Sequence, residues 1–311
     1  MEKKTDYHIP VLYYETLDTL ILNPDGIYVD CTLGGGGHSE GILERLSEEG
    51  RLIAIDQDQA AIDYATKRLE KYKGKFQIFK DNFSNIESVV YLAGYSKVDG
   101  ILMDIGVSSK QLDDGDRGFS YKKNARLDMR MNRQSSLSAY EVVNEYSEEE
   151  IARIIHEYGE DRNSRRIARA IVAKRAEKII ETTDDLVGVI LSCVKGKPKK
   201  HPAKQTFQAI RIEVNKELDV LKNTISTAVD LLKPNGRLAI ITFHSLEDRI
   251  VKNEFRYLAS DCICPVELPI CMCDKEPKVK LVTKKPIEPS GEELKSNKRA
   301  HSSKLRVCER L

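Results

Sequence analysis

Short apolar runs alternate with one-sided apolar spacing in the first part of the chain. Ile27-Tyr28-Val29 reads as a buried strand, Leu52 to Asp56 as a second, Phe76 to Phe79 as a third and Val98 to Met103 as a fourth. Between them, Ile42, Leu43 and Leu46 have helical spacing within Glu40 to Leu46, and Ala61, Ile62, Ala65 and Leu69 share one side of Gln59 to Lys71. Strands that alternate with helices predict an open parallel sheet covered by helices, an α/β fold. The pattern then changes. Leu137 to Cys193 contains no convincing strand, only helical groups such as Ile151, Ile154, Ile155 and Ile167, Ala168, Ile171, Val172. This predicts an all-helical insertion between strands four and five. One long helix is expected through Ile210, Val214, Leu218, Leu221 and Ile225 to Leu232, stopping at Pro234-Asn235-Gly236. Arg237 to Phe243 resumes the sheet as a fifth strand. Val279 to Val282 and Leu305 to Val307 are expected to close it as an antiparallel hairpin. The expected domains are 1–112 with 214–311, and the insertion 113–213.

The first strand runs into Cys31-Thr32-Leu33-Gly34-Gly35-Gly36-Gly37-His38-Ser39 and then a helix. Glycines have no Cβ, so such a turn can be tight and bring backbone N–H groups to a ligand. Asp56 ends the second strand, where a carboxylate can accept both hydroxyls of a ribose. Together they indicate an adenosine-type cofactor. A dinucleotide fingerprint would need its third glycine where Ser39 stands, which favours S-adenosylmethionine. Asp30, Asp56, Asp81 and Asp104 all fall at strand ends, the ligand side of such sheets. Phe83 is placed to pack on an adenine face with Asp81 at its edge. The plainer reading of Phe83 is a core residue opening the next helix.

A length of 311 residues suits two domains, or one with a large insertion. No apolar run is long enough to span a bilayer, and Met1 to Asp6 lacks the apolar core of a secretory signal, so the cytoplasm is expected. The net charge is only +1 but unevenly placed. Residues 159–216 hold 14 Lys/Arg against 7 Asp/Glu, and residues 275–311 hold 11 against 5. An acidic body with two basic segments suits a core that meets a polyanion at chosen places; solvated helix faces and a loose tail are the plainer account. Lys195 to Pro202 is the expected phosphate-contacting loop. Cys31, Cys193 and Cys308 read as small buried hydrophobes. Cys262, Cys264, Cys271 and Cys273 form two C-x-C pairs. These could make a tetrahedral zinc knot or remain reduced or redox-labile thiols, and no metal is assigned.

Several segments resemble a known family: His8 to Leu12, Asp30 to Ser39, Asp104 to Asp113, Arg117-Gly118-Phe119-Ser120, Leu127 to Met131, Thr206 to Ile212 and Phe243 to Arg249. Nearly end to end, the chain is similar to the MraW family of bacterial 16S rRNA cytosine-N4 methyltransferases. The resemblance implies a class I, Rossmann-like methyltransferase sheet and S-adenosylmethionine as methyl donor. It also implies a cytidine in the decoding region of 16S rRNA, in the 30S subunit, as target, with no DNA or membrane partner. The helical insertion then becomes the expected RNA-recognition domain. Carried over by position, the implied cofactor contacts are Gly36, Gly37, His38, Asp56, Phe83, Asp104 and Gln111. Of these, the residues alone indicate the loop, Asp56, Phe83 and Asp104; a lone histidine at a helix start reads as a cap or packing residue.

A cytosine N4 amine is a poor nucleophile because its lone pair is delocalised into the ring. Acceptors that hold its N–H groups can bend it toward tetrahedral geometry. Amino-directed DNA methylases place a D/N/S-P-P-Y/F motif at the end of strand four, whereas this chain has Asp104-Ile105-Gly106-Val107. The Asp104 carboxylate or the Ile105 carbonyl is therefore the candidate N4 acceptor, the plainer role of Asp104 being to orient the cofactor. Carbon-5 methylation would need a cysteine there, and none is present. His8 and His244 are further candidates to face the base, although Ser245 with Asp248 fits a helix N-cap box just after His244. The alternatives are a methyltransferase for another RNA amine and a non-catalytic ribosome-assembly factor that has kept the fold.

Overall fold

The computed structural model describes residues 10–107, 115–194, 201–265 and 271–311. His8, Gln111 and Lys195 to Lys200 lie outside the described residues. The chain divides into two compact units, one of Met1–Gly106 with Leu218–Leu311 and one of Val107–Glu217.

The first unit is built on a seven-stranded sheet of β1 (Ile27–Asp30), β2 (Arg51–Asp56), β3 (Phe76–Lys80), β4 (Val98–Asp104), β5 (Leu232–Thr242), β6 (Val279–Leu281) and β7 (Lys304–Arg310). Its order is β3-β2-β1-β4-β5-β7-β6. Strands β1 to β5 pair in parallel, whereas β7 runs antiparallel to both β5 and β6. This is the class I methyltransferase arrangement. Residue alternation explains its layers, because successive strand side chains point to opposite faces. On one face Val29, Ile53, Ile55, Ile101, Met103, Leu238 and Ile240 pack against α4 (Ile86–Leu92), α10 (Glu217–Leu231) and α11 (Ser245–Ala259). On the other, Tyr28, Leu52, Ala54, Leu102, Ala239 and Ile241 pack against α1 (Tyr13–Leu20), α2 (Gly37–Arg45) and α3 (Gln59–Arg68). Two faces covered by helices are why these strands read as continuous apolar runs.

The second unit has its own core and, among its described residues, helices without a strand: α5 (Ala139–Glu145), α6 (Glu148–Glu157), α7 (Ser164–Glu177), α8 (Thr183–Cys193) and α9 (Ala203–Asn215). Capping boxes start three of them: Ser138 with Glu141, Ser147 with Glu150, and Thr182 with Asp185. Each pairs a hydroxyl with an acid three residues on, satisfying backbone donors at both ends of the box. No helix among the described residues is long and apolar enough to cross a membrane.

Two sequence expectations are corrected. The long helix is two, α9 and α10, because Lys216 adopts φ 50° between them. Asn215 holds that break in place: its Nδ2 donates to the Met129 carbonyl at 2.8 Å, and its Oδ1 accepts from Met131 N–H at 2.8 Å. The turn residues Pro234-Asn235-Gly236 fall inside β5 as an irregularity: Val98 pairs with Leu232, but Gly100 pairs with Arg237.

Candidate functional site

Asp30, Asp56 and Asp104 end β1, β2 and β4 side by side, and Asp81 follows β3 directly. The glycine loop crosses these ends. Its Cys31 N–H donates to the Leu102 carbonyl at 2.9 Å and its Leu33 N–H to the Ile55 carbonyl at 3.0 Å, so the loop is stitched to β4 and β2. Gly34, at φ 50°, donates its N–H to Asp56 Oδ2 at 2.7 Å. Asp56 Oδ1 accepts from Asp58 N–H at 2.8 Å. Burial outweighs both N–H groups and pushes the Asp56 carboxyl up to about 6.

Helix α2 starts inside the glycine run. Gly36 is its N-cap at φ 73°, and no side chain among the described residues caps the helix. A Cβ on Gly37 would lie 2.4 Å from Pro10 Cγ, and one on Gly36 3.2 Å from Ala65 Cβ. Glycine at these two positions thus also serves the packing of α2 against the entry segment and α3. Uncapped N–H groups at a helix start favour an anionic ligand.

His38 lies in the first turn of α2 and is buried. Its Nδ1 is 3.5 Å from Asp104 Oδ2, and its Nε2 is 3.2 Å from the Val11 carbonyl. Burial alone would lower its pKa; the Asp104 carboxylate, with Asp30 and the Val11 carbonyl, overcomes this and raises it. Asp30 accepts from Ser39 Oγ at 2.7 Å and from Thr32 N–H at 3.0 Å, and burial raises its carboxyl. Thr32 Oγ1 in turn accepts from Asp104 N–H at 2.7 Å. Pairing His38 with the Asp104 carboxyl offsets part of the cost of burying both polar groups. Asp104 Oδ1 is buried and has no hydrogen-bond partner among the described residues. A buried acceptor left unpaired costs on the order of 1–3 kcal/mol, which a donor on a bound ligand would recover.

The structure thus gathers Gly36, Gly37, His38, Asp56 and Asp104 around one loop. Phe83 opens a short 3-10 turn after β3 and is half-buried against the core beside α4. Sequence reasoning missed the roles of Thr32 and Ser39. Short hydroxyls in a glycine loop were the available signal, but nothing local shows which carboxylate or backbone group each one serves. His244 is itself the N-cap of α11: its Nδ1 accepts from Glu247 N–H at 3.4 Å, and Glu247 Oε2 accepts from His244 N–H at 3.2 Å. The cap box therefore begins one residue before the expected Ser245.

The model of the MraW methylase family matches residues 5–311. Ribosomal RNA small subunit methyltransferase H of Fusobacterium nucleatum is 64% identical to this chain over 100% of it and 99% of the relative. The protein of the same name from Clostridium botulinum strain Kyoto is 56% identical, covering 98% of this chain and 99% of its own. An rRNA methylase structure from Streptococcus thermophilus aligns with 98% of this chain and 99% of that one, at 12% identity and a TM-score of 0.44. With a family model matching nearly its whole length, this chain belongs to the MraW methylase family.

Proposed function

We propose that this chain transfers a methyl group from S-adenosylmethionine to the N4 amine of a cytidine in the decoding region of 16S rRNA, acting on the 30S subunit in the cytoplasm. The observation that carries the reading is the buried, unpartnered Asp104 Oδ1 beside the uncapped start of α2. The near-full-length identity to relatives named as small-subunit rRNA methyltransferases supports the choice of RNA.

The residues present fit the methyl donor. Glycine backbone at Gly36 and Gly37 and the first N–H groups of α2 suit a carboxylate. The Asp56 carboxylate suits ribose hydroxyls, and Phe83 suits an adenine face. Gln111 completes the proposed set. When bound, S-adenosylmethionine supplies a methyl group on a sulfonium that a nitrogen can take. His38 fixes Asp104 through Oδ2, leaving Oδ1 for an ammonium or amine donor. An N4 amine in line with the sulfonium would form its bond to the methyl as the sulfur–methyl bond breaks, and the proton it sheds would pass to solvent. Most of the rate comes from position and electrostatics. Residues 113–213, with their basic stretch, are the proposed RNA-recognition domain.

The test is to incubate the protein with labelled cofactor and 30S subunits from a strain lacking the enzyme, then map the methylated nucleoside by mass spectrometry. N4-methylcytidine at one decoding-region position is expected. A methyl group on another atom overturns the N4 assignment. Normal cofactor binding without any transfer favours the assembly-factor alternative.

A further inference from the structure

Cys31, Cys193 and Cys308 are buried, as small apolar side chains are. The other four cysteines behave differently. Cys262, Cys264, Cys271 and Cys273 lie at the surface between α11 and β6, so apolar packing does not account for them. All four are free thiols, and their sulfurs lie within 4.8 Å of one another. Cys262 and Cys271 are 3.3 Å apart, Cys271 and Cys273 3.6 Å, Cys262 and Cys273 3.8 Å, and Cys264 and Cys271 4.0 Å. Four sulfurs at about 2.3 Å from one tetrahedral zinc ion stand about 3.8 Å from each other.

We propose that Cys262, Cys264, Cys271 and Cys273 form a structural zinc site that closes the loop joining α11 to β6. The backbone is arranged for thiolates. Cys264 N–H donates to Cys262 Sγ, Met272 N–H to Cys264 Sγ and Ile263 N–H to Cys273 Sγ, each at 3.3 Å. Zinc with four thiolates carries a double negative charge, and such N–H donors delocalise it and orient the ligands.

The site has a mechanical role. The base of the loop is tied by Lys278 N–H to the Leu258 carbonyl at 2.8 Å and by Lys275 Nζ to the Ser260 carbonyl at 2.6 Å. Beyond these ties two apolar side chains among the loop's described residues face outward: Ile263 is 54% and Met272 81% exposed. A metal supplies the crosslink that a core supplies elsewhere.

Full-length protein, reduced and reconstituted with zinc, is to be freed of excess metal and assayed by mass spectrometry. One zinc per chain is expected, together with tetrathiolate ligand-field bands when cobalt(II) is substituted. Cys264→Ser with Cys271→Ser should drop the metal to background and abolish those bands, while Cys193→Ser keeps both. Retained S-adenosylmethionine binding shows that the double variant is folded, and the cobalt spectrum of the unaltered chain stands even if it is not. Absence of stoichiometric zinc, iron in its place, an unchanged metal content in the double variant, or disulfides persisting in reducing buffer would each overturn the proposal.

Discussion

Asp56 and His38 make the candidate site sensitive to pH in two distinct ways. Burial pushes the Asp56 carboxyl up to about 6, yet the proposed contact with ribose hydroxyls needs it ionised. Affinity for S-adenosylmethionine should therefore weaken as pH falls through about 6. In Asp56→Asn it should be roughly tenfold weaker or more and lack that pH dependence, because charged hydrogen bonds contribute about 1.5–3 kcal/mol. Calorimetric titration across this range checks both. Stability responds in the opposite sense. His38 has a raised pKa in the folded chain, so its protonated form stabilises the fold fully below the ordinary histidine value and fades as pH rises through the raised one. The melting temperature of the unaltered chain relative to His38→Gln should show that advantage shrinking in the same window. For Asp104→Asn, the cofactor's KM should rise by at least tenfold with a smaller fall in kcat, since His38 and the start of α2 surround Asp104 on the proposed cofactor side. A drop in kcat alone, on the order of a hundredfold for a misplaced reactant, would assign Oδ1 to the N4 amine instead.

The elements were largely legible from apolar spacing, since every strand expected from the sequence is present and both sheet faces follow the two-residue alternation. Boundaries set by a single backbone angle were not. The apolar spacing runs unbroken past Lys216, and the residues that break the helix there act across the unit. Asn215 bonds to Met129 and Met131, and Arg211 makes a bidentate pair with Glu217 at 2.8 Å. A left-handed lysine is strained in a way that glycine is not. Lys216→Gly is expected to raise the urea midpoint with an unchanged slope, by the equivalent of about 1 kcal/mol after glycine's entropic cost. Capping works in the other direction: Ser147→Ala should cost about 1 kcal/mol, read from the same midpoint. Ser147 and Glu150 follow the ordinary S-x-x-E pattern, unlike the histidine cap of α11, whose imidazole replaces the usual hydroxyl.

At the scale of the whole molecule, charge separates the two kinds of contact the proposed function needs. Arg162, Arg165, Arg166 and Arg169 are exposed just before and after the start of α7, within the basic stretch. Binding of 30S particles should weaken steeply with salt. Arg165→Ala with Arg166→Ala should reduce the slope of log affinity against log salt by about one for each phosphate no longer neutralised, leaving S-adenosylmethionine affinity intact. Filter binding over a salt series measures this. The amino-acid sequence alone determined the sheet, the helical stretch interrupting it, and the loop beside Asp56 and Asp104, because each depends on residues within a few turns or one strand. The cluster of Asp30, His38 and Asp104, the Asp104 Oδ1 without a partner among the described residues, the break at Lys216 and the convergence of four sulfurs were decided only by the tertiary structure. Each depends on distances and angles that spacing along the chain does not fix, and these are set when the strands register, the helices pack and the loops close.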